Sequence, residues 1–205
     1  MLESEFYILG YSGHSFVVLE SAIQSGMTCL GYFEKEEKLK NPFSLKYLGS
    51  ETDFKDWNEV NVFAAFGDNQ MRLRLISNLQ NRGVRGVNII DQSASLSVFA
   101  SIGQFNFVSK GSVVQTFVKI GNGCIINSGA IVEHECVIKD GVHVSPGAIL
   151  CGGVIVGSGS WIGAGAVIKE GVQVGKNVIV GAGSVVLKDI PDGVTCWGAP
   201  AVSRV

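Results

Sequence analysis

From Ile90 onward the chain places an aliphatic residue at every sixth position. Ile90, Leu96, Ile102, Val108 and Val114 open a series that runs without insertion to Val174, Val180 and Val186. Four residues after most of them comes a small side chain, as at Ala94, Ser112, Cys124, Ala130, Cys136 and Ser160. Glycine often follows the aliphatic residue directly, as at Gly103, Gly121, Gly157 and Gly175. A period of six matches neither the 3.6-residue turn of a helix nor the alternation of an ordinary strand. It matches a chain that lays down one flat face and one corner every six residues. Three faces close a triangular coil, and coils stack at about 4.8 Å, the spacing of paired strands. The aliphatic residue fills the prism and the small residue fits its corner. Glycine or asparagine takes the turn dihedrals closed to bulkier residues. The pattern predicts an all-β left-handed parallel β-helix over residues 88–205.

The residue before each aliphatic position is often apolar too, as at Phe107, Ile125, Ile149, Trp161 and Ile179. These alternate with the inward residues and so point outward. That much outward apolar surface marks an interface, and solenoid prisms of this kind pack around a threefold axis. A homotrimer is expected.

Residues 1–87 follow another rhythm. Phe6–Leu9 is a short apolar strand, followed by the glycine turn Gly10-Tyr-Ser-Gly13-His14. Residues 14–25 have helical spacing, Cys29–Phe33 is a second strand ending in Glu34, and residues 61–66 form a third. Gly67-Asp-Asn69 then turns into a helix that Asp68 is placed to cap. Val84–Ile89 is the last strand before the solenoid, and Lys35–Glu59 reads as a charged, irregular surface loop. Strand, glycine turn, helix and strand make a Rossmann-like βαβ unit, with ligands expected at the carboxyl ends of its strands. The GYSGHS turn lacks the G-x-G-x-x-G spacing of a dinucleotide fingerprint, although Glu34 lies where a ribose-binding acid would stand. A helix N-terminus there suits a phosphate or a nucleotide sugar.

Composition narrows the partners. Of 205 residues, 46% are hydrophobic and 17% charged, which indicates a globular chain. A net charge of −2 offers no basic field for nucleic acid or lipid. The first residues are acidic where a signal peptide is basic, and no stretch approaches the roughly 20 apolar residues of a membrane span. Five cysteines without CxxC spacing speak against a disulfide framework or a zinc knuckle. A cytoplasmic protein is expected.

The chemistry gathers at histidine. His134 sits between Glu133 and Glu135, two residues past an inward aliphatic and hence at an outward turn. A neutral imidazole beside a carboxylate is suited to act as a general base. His143 falls in the outward apolar column of Ile125, Trp161 and Ile179, where a lone polar residue needs a hydrogen-bond partner or a ligand.

These residues carry a resemblance. Residues 90–205 resemble the hexapeptide-repeat acyltransferases. The whole chain resembles the subgroup that acetylates sialic acid or nucleotide-activated 4-amino sugars. The marks are ILGYSGHS, the FGDN turn, Asn127-Ser-Gly-Ala-Ile-Val-Glu-His-Glu-Cys136, His143-Val-Ser-Pro-Gly147 and Gly198-Ala-Pro-Ala201. The resemblance implies an acetyl-CoA-dependent N-acetyltransferase acting on a nucleotide-linked amino sugar for bacterial surface glycan or glycoprotein synthesis. It implies that His134 takes the proton of the acceptor amine and that Glu135 makes that imidazole more basic. His143, Ala164 and Ala182 match the positions that line acetyl-CoA. Ser12, Gly13, His14 and Gly67 match those that hold the nucleotide sugar. At Glu34 the family often carries two adjacent acids, whereas here Lys35 follows.

The same base and fold would serve a sialic acid or other sugar O-acetyltransferase. A zinc hydratase on this solenoid would need three converging histidines, and the solenoid has two, so no metal is expected. A non-catalytic solenoid scaffold would need neither the histidine–carboxylate pair nor the small residues.

Overall fold

Apolar runs of four to six residues bounded by glycine turns form the parallel strands of the N-terminal unit. The computed structural model describes residues 4–52, Trp57 and 60–203. Strands β1 (Glu5–Leu9), β2 (Thr28–Phe33), β3 (Asn61–Ala64) and β4 (Arg85–Gly86) make one parallel sheet in the order β2-β1-β3-β4. Helix α1 (Gly13–Gln24) crosses from β1 to β2, and α2 (Asn69–Asn81) follows β3. At the start of α1 the Ser12 N–H donates to Ser15 Oγ at 2.7 Å. At the start of α2 the Asp68 carboxylate accepts the Met71 N–H at 2.7 Å, so the predicted cap is present. The 35–59 segment shows no helix among its described residues, only a bridge of Tyr47 to Tyr32, and residues 53–56 and 58–59 lie outside them.

From Ile89–Ile90 to Val185–Val186 the chain forms two-residue strands that stack in parallel into three sheets, a left-handed β-helix of about six coils, and Thr195–Gly198 and Ala201–Ser203 end it as an antiparallel pair. Each strand pairs with the one a full coil later, so that Ile125 lies beside His143 and His143 beside Trp161. Val108, Ile126, Val132 and Val144 fill the prism and are wholly buried, as are the small Cys124, Ala130, Cys136 and Ala148.

The corners obey a second rule with the same period. From Phe105 to Gly183 every sixth residue has a positive φ. Glycine fills most of these positions, but Phe105, Phe117, Glu135 and Asn177 share the conformation. The glycines directly after the aliphatic residues, expected to be the turn formers, are not left-handed. They are there for space. A Cβ at Gly157 would stand 2.5 Å from the backbone of Gly175 in the next coil, and one at Gly163 2.5 Å from the Val180 carbonyl.

The N-terminal unit docks on one face of the prism and on one neighbouring corner. Ile89, Phe107 and Ile125 of that face join a buried cluster with Phe6, Val18, Leu19 and Phe63. At the corner, α2 lays Leu73 against Gly141 and Ile76 against Gly123. Further along the docked face Trp161 and Ile179 remain exposed, so the N-terminal unit covers only part of the outward apolar column. Among the described residues no helix is long and apolar enough to cross a membrane.

Candidate active site

Two histidines meet where the N-terminal unit sits on the solenoid. His14, in the first turn of α1, packs edge-on against Phe107 of the docked face, with ring centroids 5.8 Å apart. His143 lies two coils beyond Phe107 in the same column. Within this one chain His143 is already buried, at 6% exposure. The Trp161 ring lies 4.4 Å from it. The amide of Asn127 fixes its tautomer. Asn127 Oδ1 accepts the Ser128 N–H, which leaves Nδ2 to donate to His143 Nε2 at 3.1 Å. The proton of His143 therefore resides on Nδ1, which among the described residues is buried without a partner, as is His14 Nε2.

Arg72 of α2 locks this junction. Its guanidinium donates to the carbonyls of Phe66 and Gly67 on one side and of Gly123 and Gly141 in the solenoid on the other, at 2.7–3.1 Å, and to Asn69 Oδ1 at 2.8 Å. Among the described residues no carboxylate bonds it, and burial pushes its pKa down to about 10. Burial, with the Arg72 charge acting in the same direction, pushes the pKa of His143 down to about 3 and that of His14 to about 4. Both imidazoles are neutral at pH 7.

The glycine turn lies at the carboxyl edge of the sheet, beside β3. Ser12 and Gly13 are exposed there, and a Cβ on Gly13 or Gly67 would meet nothing within 4 Å. Glu34, at the end of β2, is engaged with the chain itself. It accepts the N–H groups of Tyr11 at 3.2 Å and Lys35 at 3.1 Å, with Lys38 Nζ at 3.6 Å. Beside it opens a cleft of about 410 Å³ lined by Phe33, Lys35, Phe66, Met71 and Arg74, among others.

His134 and Glu135 stand elsewhere. They occupy the corner between the Ile131–Val132 and Val137–Ile138 strands, opposite the docked face. His134 Nδ1 lies 3.2 Å from Glu135 Oε2, and both side chains are exposed. Ala164 and Ala182 line the third corner, also exposed. The chain thus brings His14, His143, Ser12 and Gly13 to one region and carries His134 and Glu135 to another. Among the described residues no group of three His, Cys, Asp or Glu side chains is placed to hold a metal ion.

Comparison with known proteins places this architecture. Residues 5–79 match the PglD N-terminal domain, and residues 153–188 match the bacterial transferase hexapeptide repeat. The acetyltransferase domain of PglB from Neisseria gonorrhoeae FA1090 superimposes with a TM-score of 0.92 at 31% identity, covering 98% of this chain and 100% of that one. A mutant of GDP-perosamine N-acetyl transferase from Caulobacter crescentus, solved with CoA and GDP-perosamine, gives 0.93 at 32% identity, covering 98% and 97%. The chain belongs to the hexapeptide-repeat sugar N-acetyltransferases. WeeI from Acinetobacter baumannii AYE is similar as well, with a TM-score of 0.87 at 27% identity over 98% of this chain and 100% of that one. A comparison with curated protein sequences finds no match.

For a sugar N-acetyltransferase, sequence reasoning singled out the histidines but passed over Arg72. In the sequence it reads as one more cation in the polar helix NQMRLRLISNLQN. Only the fold shows that its side chain runs inward to the corner carbonyls. Asn127 carried a signal, since it stands among the motif residues, but its bond to His143 joins residues 16 apart.

Proposed function

We propose that this protein transfers the acetyl group of acetyl-CoA to the amino group of a nucleotide-linked amino sugar, in the cytoplasm, as a homotrimer. The observation that carries the reading is the His134–Glu135 pair, in a chain alike over 98% of its length to enzymes described as sugar N-acetyltransferases. Glu135 faces Nδ1, which leaves Nε2 to take a proton. The amine nitrogen attacks the thioester carbonyl carbon, His134 removes the amine proton, the C–S bond breaks, and the proton passes to the departing CoA sulfur. A thioester is already activated, so a positioned amine, a base and a donor to the developing oxyanion suffice.

The topology argues for two chains at each site. His134 lies at the corner opposite the docked face, and the prism core separates it from the glycine turn of its own chain. An acceptor held by Ser12, Gly13 and His14 reaches only the His134 of another subunit. Exposed Trp161 and Ile179 on the docked face, and exposed Phe99 and Phe117 on the His134 corner column, supply the apolar surface such an assembly buries. The cleft beside Glu34 and Lys35 suits the nucleoside portion, with the diphosphate at the α1 N-terminus and the pantetheine arm along Ala164 and Ala182 towards His143.

The test is release of free CoA thiol with a panel of nucleotide amino sugars. A side chain at Gly13 meets nothing in the protein, so Gly13→Val leaves the fold intact while blocking approach of a phosphate. It is expected to raise KM for the nucleotide sugar at least tenfold and to leave acetyl-CoA affinity unchanged. A variant that handles every nucleotide sugar as wild type does would remove the acceptor from the N-terminal unit.

A further inference from the structure

One solenoid glycine fits neither of the two roles described above. Gly152 does not have a left-handed φ, and it does not directly follow an inward aliphatic residue. It occupies the corner position held one coil earlier by His134 and one coil later by Glu170. From Gln92 to Lys188 every sixth residue stands at this register, and Gly152 is the one glycine among them. What fills its space is the His134 ring. A Cβ at Gly152 would lie 2.5 Å from His134 Cε1, 2.6 Å from Nε2 and 3.2 Å from Nδ1. No real Cβ stands that close, so the ring as placed requires a bare Cα beneath it.

The shelf has a fixed height. The Gly153 N–H donates to the His134 carbonyl at 2.9 Å, and the Gly171 N–H donates to the Gly152 carbonyl at 3.0 Å. Coil stacking therefore sets the distance between the Gly152 backbone and the His134 backbone. A side chain on the shelf cannot retreat, and the exposed imidazole, with water on its other side, must rotate away. Rotation takes Nδ1 from the Glu135 carboxylate and re-aims Nε2.

We propose that Gly152 is a positioning residue. By lacking a side chain it holds the His134 imidazole in the one orientation that pairs Nδ1 with Glu135 and presents Nε2 to the acceptor amine. The inference rests on His134 being the base.

The test is Gly152→Ala, alone and combined with Glu135→Ala and with His134→Ala. The shelf predicts a fall in kcat on the order of 10- to 100-fold, with KM for acetyl-CoA unchanged. It also predicts that the acidic limb of the pH–rate profile moves in the direction that Glu135→Ala moves it. Because both changes break the same contact, the double variant loses little more than the worse single one. A wild-type kcat in Gly152→Ala, or losses that multiply in full with those of Glu135→Ala, overturns the proposal. Should Gly152→Ala lower the melting temperature instead, removing the ring with His134→Ala restores it, and a deficit that persists without the ring overturns the proposal equally. If His134→Ala by itself keeps wild-type turnover, the base assignment falls and the shelf with it. If His134→Ala is inactive and Gly152→Ala is not, the shelf alone falls.

Discussion

Glu135 holds a backbone conformation that glycine takes at most other corners of the solenoid. Its φ is 59°, and a left-handed residue with a Cβ costs about 1–2 kcal/mol. In this conformation its carboxylate stands 3.2 Å from the preceding imidazole. Strain kept at a functional position is expected to trade against stability. Glu135→Gly should therefore raise the melting temperature by about 2 °C, since glycine removes the strain but returns part of the gain as chain entropy. The same variant should lose turnover, by no more than about 100-fold because the base itself remains. A less stable variant, or one with wild-type turnover, would show that Glu135 has no part in this trade. The glutamate and the histidine were legible as residue types in sequence. The positive φ was not, because four side-chain-bearing residues interrupt the glycine pattern and a conspicuous set of glycines occurs at another register for another reason.

At the scale of elements, the repeat was legible because one inward aliphatic per six residues is a requirement of the prism, independent of anything distant. The docking of α1 and α2 was not, since it depends on pairings such as Arg72 with Gly123 and Gly141, tens of residues apart. That docking buries two imidazoles in neutral form, His14 facing from α1 and the Arg72 cation from α2. The consequence for acid stability has a definite sign. In the unfolded chain His143 takes up a proton near pH 6.5, and in the folded chain only near pH 3. Between those values the unfolded state binds more protons, so stability falls as pH falls, by up to ~1.4 kcal/mol per pH unit from this group. Above about pH 6.5 the group contributes no slope. Melting temperatures measured from pH 7 to pH 4.5 should thus fall more steeply for wild type than for His143→Asn, which cannot titrate. Equal slopes would mean that His143 is not buried neutral at the junction.

At the scale of the whole molecule, the proposed site is one that a single chain does not complete. The solenoid carries His134 on the corner facing away from its own N-terminal unit. In the proposed homotrimer each His134 would meet the N-terminal unit of a neighbour. Two defective chains can therefore repair one another. His134→Ala removes the base and leaves the acceptor turn intact, whereas Gly13→Val blocks the turn and leaves the base. With the nucleotide sugar held well below the KM of Gly13→Val, either change cripples every site of a homogeneous trimer. In trimers mixed at random from equal amounts, each site draws its base from one chain and its acceptor turn from the next. The chance that both are intact is one half times one half, so about a quarter of wild-type activity should return. If base and acceptor turn belonged to the same chain, every site would still carry one defect and mixing would restore nothing. Co-expressing the two variants with different tags and purifying on both removes the homotrimers, which leaves one intact site in three and raises the expected return to about a third, against nothing if the site lies within one chain.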